Sequence, residues 1–188
     1  MALYRQFIRA HLTVEILDQG QARALKMPVL RHSHRGFIAN QIGCLGELVV
    51  ELWLTKYHVP CAFLYYRSHD IEIRGKKTEI KTKDRSVPPK ETFECSTPTY
   101  NNGVQNPEWY VFISLERHSD GYDKEDIHRF HTAWILGYAT REDMATLAQI
   151  RKAGDKEPNG VVFFTDCMNI FIHQLRPISE IVHDRTTT

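Results

Sequence analysis

With 188 residues, 42% of them hydrophobic and 25% charged, the chain has the makings of one globular domain and excludes a fibrous repeat or a largely disordered polymer. Its formal net charge of +1 excludes a surface coated throughout with positive charge, so contact with a polyanion has to come from a local patch.

From the N-terminus, residues 1–10 include Arg5, Gln6 and Arg9, which break the apolar run of a secretory leader. Helix is predicted over residues 3–17 and 21–25, interrupted by Gly20 and ended by Pro28, so that residues 1–36 form a helical extension ahead of a core spanning 37–175. Over residues 37–57, Ile42, Leu45, Val49 and Leu52 recur at helical spacing, and Val50 and Leu54 widen the apolar side, predicting a mostly buried helix. Its apolar stretch, residues 42–54, carries Glu47 and Glu51 and is too short and charged for a bilayer, so no membrane partner is expected. After Pro60, residues 61–66 suit a buried strand. Residues 69–74 and 77–83 alternate, with Ile71, Ile73, Thr78 and Ile80 on one face, and predict a hairpin whose two loop residues are Gly75 and Lys76.

Residues 84–107 contain Pro88, Pro89, Pro98 and Pro107 together with Asn101, Asn102 and Gly103, and read as a long irregular loop. Strands are predicted over 109–115 and 131–138, on either side of a polar, acidic stretch, 116–126. Thr140 caps a predicted helix that runs from residue 141 to about 153, with Asp143 as its capping-box partner and Gly154 as its stop. Late strands at 161–164 and 170–175 and a short helix at 177–183 complete the reading. Cys44, Cys61, Cys95 and Cys167 have neither zinc-site spacing nor a compact disulfide pattern, which points to free thiols and a cytoplasmic protein.

In the predicted hairpin Arg74 faces Lys77, Glu72 faces Glu79 and Asp70 faces Lys81. Asp70, Glu79 and Lys81 then share a face, with Glu79 diagonally across from Asp70 and within reach of a common ion. Two carboxylates, a backbone carbonyl such as that of Ile80, and water give the all-oxygen coordination that Mg²⁺ prefers at roughly 2.0–2.1 Å. Lys81 would lie beside that ion as a point charge for a developing negative charge, the combination that phosphodiester hydrolysis needs. Glu47 falls in the helical stripe Gly43, Glu47, Val50, Leu54, where a carboxylate needs a partner, and Gly43 and Gly46 allow the helix a close approach. Glu51, one turn on, is the weaker candidate ligand.

The order Gly43-x-x-Gly46-Glu47 on a helix, then Asp70, then Glu79-Ile80-Lys81, resembles the PD-(D/E)XK nuclease superfamily, which includes restriction enzymes, Holliday-junction resolvases and small phage nucleases. The motif spans residues 43–81, residues 134–143 are also similar to small phage members, and His69 stands where the family has its proline. The resemblance implies an α/β fold, a restriction-endonuclease-like αβββαβ core with a mixed central sheet flanked by helices, forming a single nuclease domain over residues 1–188. It implies Asp70 and Glu79 as metal ligands, Lys81 as the catalytic lysine and Glu47 as an auxiliary carboxylate, acting directly or through water. The expected activity is Mg²⁺-dependent endonucleolytic cutting of DNA, with Mn²⁺ as a substitute, no small-molecule cofactor, and a homodimer where both strands of a duplex are cut. Two other readings stand beside it: a structure-selective Holliday-junction resolvase or repair nuclease, and a non-cutting nucleic-acid-binding module on the same fold.

Arg67, Arg74, Lys76, Lys77, Lys83, Arg85 and Lys90 supply a local positive patch for a phosphate backbone, and Phe93, Tyr100 and Asn102 in the long loop can lie along a groove or stack on bases. His32 with His34, and His128 with His131, lack the further ligands of a zinc site. Asp120, Asp123, Glu125 and Asp126 miss the spacing of a calcium loop.

Overall fold

The computed structural model describes residues 7–28, 36–62, 69–99, 106–157, 160 and 162–183. A short strand β1 (Ile8–His11) leads into helix α1 (Val14–Lys26), whose first turn is capped by the Thr13 hydroxyl accepting from the Ile16 amide. Helix α2 (Phe37–Lys56) follows, then strands β2 (Cys61–Ala62), β3 (Ile71–Ile73), β4 (Lys76–Arg85), β5 (Glu94–Pro98), β6 (Trp109–Arg117) and β7 (Phe130–Thr140). Helix α3 (Arg141–Leu147), strands β8 (Gln149–Arg151) and β9 (Cys167–Phe171) and helix α4 (Ser179–His183) end the described chain.

Six strands form one mixed sheet in the order β1-β7-β6-β4-β3-β2, with β4 and β6 parallel and the other neighbours antiparallel; β5, β9 and β8 form a second, antiparallel sheet. Alternation along the strands gives the large sheet two apolar faces. Ile71, Ile73, Ile80, Val111 and Ile113 pack with Leu45, Val49 and Leu54 of α2, while Tyr110 and Phe112 turn to the reverse face and pack with Cys95 and Ile170 of the small sheet and Met144 of α3. The fold is thus an α/β stack of helices, large sheet and small sheet.

Helix α2 is long and apolar enough, by length and composition, to cross a membrane, but ten of its residues are buried in this stack, which accounts for that apolarity without a lipid contact. Its close seat on the sheet depends on Gly46, where an added Cβ would lie 2.0 Å from Thr82 Oγ1. Gly43, by contrast, has open space beside it.

Several expectations need correction. Residues 8–11 pair with β7 as a strand, and Gly20 sits inside α1, packed against Leu45 and Ile127, where the sequence predicts a break. The hairpin loop is Arg74-Gly75, with φ of 51° and 74°, so Ile73 faces Lys76 and Glu72 faces Lys77. Two successive positive φ values fit the right-handed twist of a two-residue hairpin, and glycine at the second position bears one of them without strain. The predicted loop over 84–107 contains β5, and β4 itself runs on to Arg85. Pro98 ends β5 opposite Cys167 at the border of the small sheet, a place where proline costs no ladder bond. Thr140 and Asp143 do form the capping box, but α3 stops at Leu147 because residues 149–151 pair with β9.

Of the expected strand at 161–164, the described residues 162–164 carry one bridge, from Val162 to Lys156, while residue 161 lies outside the described residues; the strand expected at 170–175 begins at Cys167 and turns into a 3₁₀ segment, Ile172–Gln174. Three strands follow α2 as expected; between β4 and β6 the described residues hold β5 where a second helix is expected, and α3 comes only after β7. Residues 63–66 of the predicted first core strand, with Arg67, His32, His34, Tyr100 and Asn102, lie outside the described residues.

Candidate active site

Strand β3 begins at Ile71, so the ladder on that side of β4 ends at Thr78; from Glu79 onward no described strand covers that edge. The Ile80 amide points to this open side, where it donates to Asp70 Oδ2 at 2.7 Å. Since the N–H and C=O of a strand residue point the same way, the Ile80 carbonyl also faces the open edge. A cleft of about 410 Å³ runs along it, walled by Gly43 and Glu47 of α2, by Asp70, by Glu79 to Lys83 and Arg85 of β4, and by Cys95, Ser96 and Cys167 of the small sheet. The four residues singled out by sequence, Glu47, Asp70, Glu79 and Lys81, therefore meet at one cleft.

They reach it from different directions. Ile80 and Thr82 face α2, so by alternation Glu79 and Lys81 lie on the reverse face of the sheet, beside Tyr110 and Phe112 of β6 in the parallel register. Glu47, on α2, and Glu79 therefore meet around the uncovered edge of β4. The register also places Asp70 one step beyond the Ile71–Thr78 pair, level with Glu79, where the sequence predicts a diagonal.

Glu79 is 2% exposed, and Lys81 Nζ donates to its Oε1 at 2.5 Å. Burial, reinforced by the nearby carboxylate of Asp70, pushes Glu47 up to about 8, with Glu79 raising it further and Arg23 and Lys81 opposing. Asp70 is likewise raised, chiefly by burial, against the Ile80 amide and Lys81, which favour its charged form. Cys95 and Cys167 carry no nucleophile near neutral pH, because burial pushes the Cys95 thiol up to about 12 and raises that of Cys167.

The sign of the Glu47 shift sets a pH window. An unfolded glutamate titrates near 4.5 and the folded one near 8, so the folded chain holds this proton more tightly; the stability that this lends is whole below pH 4.5 and is lost as pH rises through 8. Glu47→Gln is expected to match the wild type near pH 4 and to exceed its stability at pH 9 by on the order of a few kcal/mol, read from urea midpoints. Equal midpoints at pH 9 would mean that the carboxylate is well solvated.

Among the described residues, no three His, Cys, Asp or Glu side chains converge closely enough to hold a metal ion as they stand. The donor chemistry nonetheless suits a hard dication: three carboxylates border one cleft, two of them driven toward protonation by burial, which a cation would relieve. Asp70, Glu79 and the Ile80 carbonyl are the residues that would hold it, with Glu47 nearby.

Most of the predicted positive patch has other duties. Arg74 donates to the carbonyls of Ile181 (2.9 Å) and Val182 (3.1 Å), tying the hairpin turn to α4, and Lys76 pairs with Glu108 at 2.9 Å. Lys83 pairs with Glu157 at 2.7 Å, and Arg85 donates to the Glu94 carbonyl at 2.9 Å while stacking on Phe93, 4.8 Å from the ring centroid. Lys77 is exposed, and Lys90, also exposed, lies over Phe93. Lys83 and Arg85 thus face the interior of the cleft rather than an outer surface. Sequence reasoning missed the wall supplied by β5 and β9, including Ser96; the alternating Cys95 and Thr97, both buried, were the available signal. No protein-family model matches this chain, and no curated protein matches it either.

Proposed function

We propose that the protein is a metal-dependent endonuclease of the PD-(D/E)XK type, cutting DNA with Mg²⁺ or Mn²⁺ on a restriction-endonuclease-like core. The observation that carries this reading is the meeting of Glu47 of α2, Asp70 just before β3, and Glu79 and Lys81 of β4 at one cleft on an uncovered strand edge. A solvated hairpin face with a cross-strand ion pair would leave these groups exposed; here Glu79 is buried and Glu47 is desolvated.

A bound dication supplies an activated water and neutralises charge on the phosphate. The chain's own groups do the rest. Asp70 is fixed by the Ile80 amide, so its second carboxylate oxygen is left for a ligand in the cleft. The Lys81 ammonium, held against Glu79 on a rigid central strand, presents a fixed positive charge to a phosphate entering along β4, and steadies the negative charge that grows as the ester bond breaks. Glu47, titrating near 8, can hold or release a proton within the physiological range.

The test is to incubate the wild type, Lys81→Ala and Asp70→Ala with plasmid, single-stranded and branched DNA, with Mg²⁺ or with chelator. Cutting by the wild type in Mg²⁺ alone is expected, and equal products in every lane would reject the assignment. Preference for the branched substrate would indicate the resolvase or repair type. Binding without cutting under any divalent metal would instead indicate a nucleic-acid-binding module.

A further inference from the structure

Lys83, Arg85 and Ser96 line the far end of the same cleft, on the side walled by the small sheet. Among the described residues, two polar atoms there are buried without a hydrogen-bond partner: Arg85 Nε and Ser96 Oγ. A guanidinium whose role is only to support the fold would be expected to use its Nε–H as well as its outer nitrogens, since a buried donor left unsatisfied costs on the order of 1–3 kcal/mol. Arg85 instead commits one outer nitrogen to the Glu94 carbonyl and its plane to Phe93, and burial pulls its pKa below the usual value, a cost that a bound anion offsets. Among the described residues, Lys83 has one carboxylate partner, Glu157, and also reaches the Glu94 carbonyl at 3.3 Å. The Glu94 carboxylate is engaged elsewhere, by Arg151 and Asn169, so this end of the cleft keeps an excess of positive charge.

We propose that Lys83, Arg85 and Ser96 form a second subsite for a phosphate group, distinct from the one at Lys81, a proposal that rests on the nuclease reading above. Lys81 and Lys83 are two residues apart on the same strand face, about 6.6 Å, on the order of one or two nucleotide steps of a DNA strand at roughly 3.4 Å each. A strand whose scissile phosphate lies at Lys81 therefore brings a neighbouring phosphate to Lys83, Arg85 and Ser96. The ligand chemistry is a phosphate monoester or diester oxygen, from either a strand terminus or the chain interior.

The experiment measures binding of the full chain to a labelled single-stranded oligonucleotide in chelator, so that nothing is cut, with the 5′ end phosphorylated or free. Lys83→Gln is expected to weaken binding about 5–10-fold and to reduce the salt slope by about one. Ser96→Ala, which removes one hydroxyl, is expected to weaken it about 3-fold. Arg85→Lys, which keeps the charge and loses the Nε donor, should fall between them. Urea midpoints report folding, and Ser96→Ala keeps the test readable if the Arg85 variant is unstable. Loss of affinity only with the phosphorylated end identifies a terminal phosphate; equal loss with both ends identifies an internal one.

Wild-type affinity and salt slope in folded Lys83→Gln and Ser96→Ala overturn the subsite, even if the protein cuts DNA in Mg²⁺. Weakened binding in those variants, in a protein that no divalent metal enables to cut, leaves the subsite standing and removes the nuclease reading.

Discussion

Lys81→Met is expected to lower the rate of DNA cutting at least about 100-fold and, separately, to destabilise the metal-free fold by about 2–3 kcal/mol. The two effects have one origin. Glu79 is 2% exposed and Lys81 about a fifth exposed, at 21%, with 2.5 Å between their charged atoms. Removing the ammonium leaves a buried carboxylate facing apolar neighbours such as Tyr110 and Phe112, and the penalty is for desolvated charge rather than for a lost contact. Glu79→Gln/Lys81→Met should accordingly regain most of the stability and none of the activity. Mg²⁺ should also restore part of the stability of Lys81→Met, because a dication can stand opposite Glu79 in place of the lysine. Urea midpoints with and without Mg²⁺, alongside plasmid relaxation, separate these outcomes. A Lys81→Met protein that cuts at the wild-type rate would reduce the lysine to a structural counter-ion, and one as stable as the wild type would refute the buried pair.

The second large effect concerns the seat of α2. Gly46→Ala would ordinarily stabilise a helix interior by up to about 1 kcal/mol. Here the new Cβ falls 2.0 Å from Thr82 Oγ1 and 3.0 Å from Thr82 Cβ and Cγ2. Thr82 is β-branched, so rotating it swaps one crowded atom for another, and overpacking of this kind costs about 1–3 kcal/mol. Crowding should win, with a net loss of about 1–2 kcal/mol. Because Glu47 is the next residue, displacement of the helix should also slow cutting. Gly46→Ala/Thr82→Ala should recover more than half of the lost stability, since the paired change removes the colliding atoms. A Gly46→Ala protein more stable than the wild type would show that the helix and β4 are further apart than described.

The grouping of the candidate residues was legible because it depends on parity. The sequence predicts the hairpin loop at Gly75-Lys76, whereas the turn is Arg74-Gly75, yet this displacement moves the pairing by two positions and leaves Asp70, Glu79 and Lys81 on the same sides as before. The helical stripe that singled out Glu47 survived for a similar reason, since α2 is long and its period is set by burial on one sheet. What the sequence hid was assembly across distance. Lys83 and Arg85 look like surface charges in the strand pattern, and only the pairing of β5 with β9, segments some seventy residues apart, encloses them. The pairing of β8 with the other side of β9 likewise stopped α3 at Leu147 against its local propensity, because residues 149–151 were recruited into the small sheet. The prolines between 88 and 107 misled in the opposite direction, marking a loop where a border strand tolerates Pro98.

The uncovered edge of β4 is a hazard as well as an opening. Among the described residues, the backbone beyond Thr78 offers amides and carbonyls that a strand from another molecule could extend, the usual first step of aggregation. An incoming peptide would have to desolvate Lys81 and Lys83 on one side and displace Glu47 on the other. The charged groups of the cleft therefore act as gatekeepers, keeping an uncovered ledge from recruiting a second copy of its own chain.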